Sequence, residues 1–85
     1  MHDNNSKLSP APTGQLIKKF ARSDREEVLF TIEEYKGHKY LNLRVWALLS
    51  DGQWWPTKKG ITIRLGEARE LSSAIDDVMD YLEDV

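Results

Sequence analysis

The residues best equipped for chemistry in this 85-residue chain are aromatic and basic, and they alternate along its middle. Tyr35, Tyr40, Trp46, Trp54 and Trp55 are interleaved with Lys36, His38, Arg44, Lys58 and Lys59, and Asn42 lies among them. An aromatic face stacks on a base for about 1–3 kcal/mol, and a cation neutralises a phosphate, so this combination suits a groove for a single nucleic-acid strand. Gly60 follows the lysine pair, where it lets the backbone bend or approach a phosphate closely. The glycine spacing matches neither a Walker loop nor a dinucleotide fingerprint.

Catalysis has little to stand on. There is no cysteine, which excludes disulfides, thiolate zinc and a Cys nucleophile. His2 and His38 are far apart, so no local metal cluster forms from them. The acidic run Asp76, Asp77 and Asp80 falls on a helical segment, where such runs are ordinarily solvated. No Ser/His/Asp set can be assembled. We expect no enzyme activity, no cofactor and no metal.

The net charge is −2, but it is unevenly spread. Between Lys36 and Arg64 six basic residues face Asp51 alone, a balance of +5. Between Gly66 and Val85 seven acids face Arg69 alone, a balance of −6. A basic middle and an acidic end imply one surface for an anion and another turned to water. No apolar run approaches the ~20 residues of a membrane span, and the first twelve residues lack a signal-peptide core. A soluble, intracellular protein is expected, in the cytoplasm or nucleoid of a bacterium or the nucleus of a eukaryote.

Positioning these side chains falls to a small sheet. Residues 1–14 are rich in Asn, Ser and Pro and read as a disordered arm; residues 15–85 read as one domain. Gln15–Ala21 suits a short strand, with a turn at Ser23-Asp24-Arg25. Val28–Tyr35 and His38–Leu48 form a hairpin around the two-residue loop Lys36-Gly37. Closing that loop pairs Val28 with Val45, Phe30 with Leu43 and Ile32 with Leu41, all on one face. The other face then carries Thr31, Glu33 and Tyr35 beside Tyr40, Asn42, Arg44 and Trp46. Glu33 would repel phosphate there unless Arg44 or a lysine paired with it. Asp51-Gly52 marks a turn, Pro56 interrupts regular pairing, and Lys59–Ile63 alternates as a fourth strand.

From about Leu65 the period becomes helical, with Leu71, Ile75, Val78, Met79 and Leu82 on one stripe. The helix start, lacking a Ser, Thr, Asp or Asn cap, falls between Arg64 and Glu67. The fold class is α+β, a four-stranded antiparallel sheet followed by one C-terminal helix expected to cover a sheet face. A domain of this size without disulfide or metal is thinly stabilised, so a homodimer through the helical stripe is expected. Trp54 and Trp55, as extended neighbours, point to opposite faces, so both cannot enter one core. Loop closure, a dimer contact and a stacking platform all remain open for them.

The ordered set Phe30-Thr31-Ile32, Tyr35-Lys36-Gly37, Leu43-Arg44 and Pro56-Thr57-Lys58-Lys59-Gly60-Ile61-Thr62 resembles the positive-cofactor-four transcriptional coactivators and their bacterial and phage relatives. The resemblance spans roughly Val28 to Val78. It implies a dimer built around the helices and a sheet surface with grooves for single strands or melted duplex. By position, Tyr35 and Lys36, Arg44, and Lys58 with Lys59 are similar to that family's DNA-contacting residues. A tryptophan common in relatives is Ala47 here, and a lysine before the loop proline is Trp55, so stacking is expected to move to Trp46, Trp54 or Trp55. The Ser-rich regulatory arm of the animal proteins is missing from the N-terminal stretch.

Three functions follow. The first is largely sequence-independent single-stranded DNA binding in transcription, replication, recombination or repair. The second is a protein-interaction module docking an acidic partner, with tryptophan hot spots. The third is single-stranded RNA binding, because stacking and phosphate contacts do not distinguish the sugars.

Overall fold

The computed structural model describes Pro12 and residues 14–84. The expected arm over residues 1–14 therefore lies almost entirely outside the described residues. Strand β1 (Gln15–Ser23), β2 (Glu26–Tyr35), β3 (His38–Leu48) and β4 (Trp54–Arg64) form an antiparallel meander in sequence order. A single 3₁₀ turn (Leu65–Glu67) leads into helix α1 (Ala68–Glu83).

The β2–β3 hairpin has the expected register, with Val28 opposite Val45, Phe30 opposite Leu43 and Ile32 opposite Leu41. Its turn places both central residues at positive φ, Lys36 at 51° and Gly37 at 79°. That is the backbone of a primed two-residue turn, whose twist matches the strands it joins. Glycine accepts this conformation without cost, whereas Lys36 adopts it against its Cβ.

Strand β4 begins earlier than the alternation of Lys59–Ile63 suggests. It starts at Trp54 and contains Pro56, which sits opposite Trp46. Proline is tolerated because β4 is an edge strand, where a missing N–H need not break a ladder on both sides. The interruption expected at Pro56 falls instead between it and Gly60. Arg44 pairs with Gly60 and Trp46 with Pro56, so Thr57, Lys58 and Lys59 bulge out opposite Val45.

The helix corrects a second expectation. It does not cover its own sheet: its main contacts within the chain are with the turn that precedes it. Ile75, Val78, Met79 and Leu82 are 47–54% exposed. The apolar sheet face is likewise open, with Val28, Phe30, Ile32, Leu41 and Leu43 half-buried and Phe20 and Ile61 exposed. Phe20 and Phe30 meet there, with ring centroids 5.9 Å apart. The tightest packing lies on the opposite face, where Leu29, Thr31 and Trp46 are buried; Val45 is the buried residue of the apolar face. The entry to the 3₁₀ turn is held by Glu67, whose carboxylate accepts the Arg64 backbone N–H at 3.0 Å, while α1 itself begins without a side-chain cap.

Candidate nucleic-acid interface

The face opposite the apolar one is built by alternation. It carries Thr31, Glu33 and Tyr35 from β2, His38, Tyr40, Asn42, Arg44 and Trp46 from β3, and Thr62 and Arg64 from β4. A polar ladder crosses all three strands. Glu33 Oε2 accepts from Thr31 Oγ1 at 3.1 Å and from Asn42 Nδ2 at 2.9 Å. Asn42 Oδ1 in turn accepts from Thr62 Oγ1 at 3.2 Å and from Arg44 Nη2 at 3.4 Å. Each member fixes the rotamer of the next, so the face is pre-formed. Glu33 is thus held by neutral donors, and Arg44 is not its partner.

Arg44 turns the other way. Its Nη1 donates to the Thr57 carbonyl at 3.2 Å, tying β3 to the bulge. Thr57 Oγ1 donates to the Val45 carbonyl at 2.7 Å and accepts the Lys59 N–H at 3.1 Å. One threonine therefore pins a three-residue bulge and leaves Lys58 and Lys59 exposed. Gly60 is needed for this geometry, because a Cβ there would run into the Leu43 carbonyl oxygen and lie 3.0 Å from Arg44 Cα. Gly60→Ala should cost ~1–3 kcal/mol by forcing the backbone apart, read as a fall of several degrees in Tm. Gly66→Ala is the control, since open space surrounds that position; it should leave Tm nearly unchanged.

Among the described residues the ion pairs are Lys19–Glu27 at 3.7 Å and Arg22–Glu26 at 3.9 Å. Lys36, Lys39, Arg44, Lys58, Lys59 and Arg64 have no carboxylate partner among them. Their charge is available to an anion. Lys36 Nζ lies 5.4 Å from the Tyr35 ring centroid, and Tyr35 is 63% exposed. At the same end His38, Lys39, Tyr40, Arg64, Leu65 and Gly66 line a cleft of about 470 Å³. Arg64 enters the site here beside Lys39, although the aromatic–basic interleaving did not single it out. Continuing the register from β3 into β4 would have placed Arg64 opposite Tyr40.

The tryptophans divide as their spacing requires. Trp54 faces the same side as Trp46 and, with Leu29, Leu16, Pro12, Lys19 and Glu27, lines a cleft of about 280 Å³. Trp46 keeps 8% exposure and offers little surface for stacking, while Trp55 is 40% exposed and lies opposite Ala47, on the side of the apolar face. The site therefore gathers Tyr35, Lys36, His38, Tyr40, Asn42, Arg44, Lys58, Lys59 and Gly60 along one face and its edge. It sets Trp55 apart from them.

The family model for the transcriptional coactivator p15, PC4, matches residues 23–74, more than half of the chain. The chain belongs to the PC4 family. A PC4 homologue from Burkholderia pseudomallei superimposes with a TM-score of 0.73 at 22% identity, covering 81% of this chain and 93% of that one. A bacteriophage T5 homologue of the eukaryotic coactivator, implicated in recombination-dependent DNA replication, gives a TM-score of 0.67 at 27% identity. It covers 85% of this chain and 83% of its own. No curated protein matches significantly by sequence. Membership of the PC4 family supports a DNA-binding role. Among the described residues no helix is long and apolar enough to cross a membrane, and no three potential metal ligands come together.

Proposed function

We propose that this protein binds single-stranded DNA with little dependence on sequence, without catalysis, as a homodimer whose unit is the domain from Gln15 onward. The observation that carries the reading is the set Lys36, Arg44, Lys58, Lys59 and Arg64, none with a carboxylate partner among the described residues, gathered with exposed Tyr35 along one sheet face and its edge. Phosphates meet the cations while bases stack on the aromatic side chains. The likeness to a phage protein implicated in recombination-dependent replication favours a role where single strands are exposed.

The test is an anisotropy titration with single-stranded DNA, the matching RNA and duplex DNA at two salt concentrations. Five cations each neutralising one phosphate give a log–log salt slope of about −3.5 per groove. Single-stranded DNA should bind tightest, with a slope of that size. Equal affinity for duplex, or a flat salt response, would count against the groove. Tighter binding of RNA would reassign the ligand.

A further inference from the structure

We propose that Glu33 reads base edges, giving the bound strand a preference for bases that carry an exocyclic amino group over thymine. The inference rests on the single-strand reading above and names what one part of that site selects. A carboxylate inside a polyanion-binding face opposes affinity, yet this one is held in place by Thr31 and Asn42, both donating to Oε2. Its Oε1 has no partner among the described residues. Two donors saturate one oxygen and leave the other as a fixed, charged acceptor. The ladder through Asn42 to Thr62 and Arg44 keeps that acceptor oriented.

The surroundings say what can approach it. Glu33, Glu34, Tyr35, Tyr40 and Thr62 line an open cleft of about 370 Å³. The Glu33 carboxylate repels phosphate from this cleft, whereas its two phenol rings accept the flat face of a base. Glu33 and Tyr40 are direct cross-strand neighbours, so a base stacked on Tyr40 presents its edge to the carboxylate. Cytosine offers its N4 amino group, the group that Glu and Asp side chains accept from in base recognition. Thymine offers only N3–H, flanked by two carbonyl oxygens that a carboxylate repels. Phosphates then run along Arg44, Arg64 and the Lys58-Lys59 bulge, outside the cleft.

The experiment compares oligo(dC) and oligo(dT) of equal length by anisotropy, at neutral pH and fixed salt. The parent protein should bind oligo(dC) at least about fivefold more tightly, the discrimination expected of one such contact. Glu33→Gln keeps an acceptor for Thr31 and Asn42 but removes the charge, so both oligonucleotides should gain affinity and the ratio should fall towards one. Glu33→Asp keeps the charge but withdraws the oxygen by one methylene; it should lose the preference with no general gain. A parental ratio near one, or a preference surviving in both variants, overturns the inference and leaves single-strand binding intact. Failure of the parent to bind either oligonucleotide overturns the single-strand reading itself, and this inference with it.

Discussion

Replacing Val78 with aspartate should yield a chain that neither dimerises nor stays folded at micromolar concentration. Among the described residues only Leu29, Thr31, Val45 and Trp46 are buried. That is a small core for a chain without cysteine to form disulfides. Two apolar surfaces remain uncovered: the sheet face of Phe20, Val28, Phe30, Ile32, Leu41, Leu43 and Ile61, and the helix stripe of Leu71, Ile75, Val78, Met79 and Leu82. Fully burying such a side chain is worth about 1.5–3 kcal/mol, and roughly half of that remains to be gained where half the surface is exposed. Contact with a second copy, as proposed, would supply it for both chains at once, since a two-fold pair buries the same patch twice. Asp76, Asp77 and Asp80 lie on the opposite side of α1 by helical spacing, leaving the stripe free of charge. Folding and association are then one equilibrium, so Tm should rise with protein concentration. Sedimentation of the parent should give twice the 9.8 kDa chain mass. Asp80→Asn should leave mass and Tm nearly unchanged, while Met79→Glu should reproduce the Val78→Asp defect. A stable Val78→Asp monomer binding DNA with parental affinity would refute the proposed dimer.

The hairpin was legible because its information is local. A two-residue turn at Lys36-Gly37 fixes the register, and period-two alternation then assigns every side chain of β2 and β3 to a face. Family membership was legible for a related reason: the run from Pro56 to Thr62 encodes one irregular structure, the bulge pinned by Thr57 and closed by Gly60. What alternation cannot show is how an interruption is distributed. Pro56 reads as a break, yet an edge strand accommodates it and the irregularity moves to residues 57–59. The placement of α1 was illegible for another reason. An amphipathic stripe says that a helix needs an apolar partner but not whose, and covering its own sheet is as consistent with the pattern as meeting another chain. Glu33 shows the same limit within the site. Its face was given by alternation, but its partners depend on Asn42 and Thr31 lying nearer than Arg44, which register alone does not decide.

Lys58→Ala combined with Lys59→Ala should weaken single-strand binding about 25-fold at 0.1 M salt and flatten the log–log salt slope by about 1.4. The two figures are one statement. Each phosphate neutralised on a single strand contributes about 0.7 to the slope, and two lost contacts at 0.1 M remove about 1.4 decades of affinity. At 0.2 M the same loss shrinks to about tenfold, because the released counterions then enter a more concentrated solution. Folding should be nearly untouched. Both side chains are exposed and unpaired among the described residues, and exposed substitutions of this kind usually stay within about 0.5 kcal/mol. The bulge is held by Thr57 and by the Lys59 backbone N–H, which alanine retains. Arg44→Ala should differ in a recognisable way. It should remove one phosphate contact, about 0.7 from the slope, and also lower Tm, because its guanidinium ties Asn42 to the Thr57 carbonyl. A double-lysine variant with parental affinity and slope would take the bulge out of the phosphate path, leaving Arg44, Arg64 and Lys36 to define it. One that loses affinity with an unchanged slope would show that the lysines act through the fold of the bulge and not through their charge.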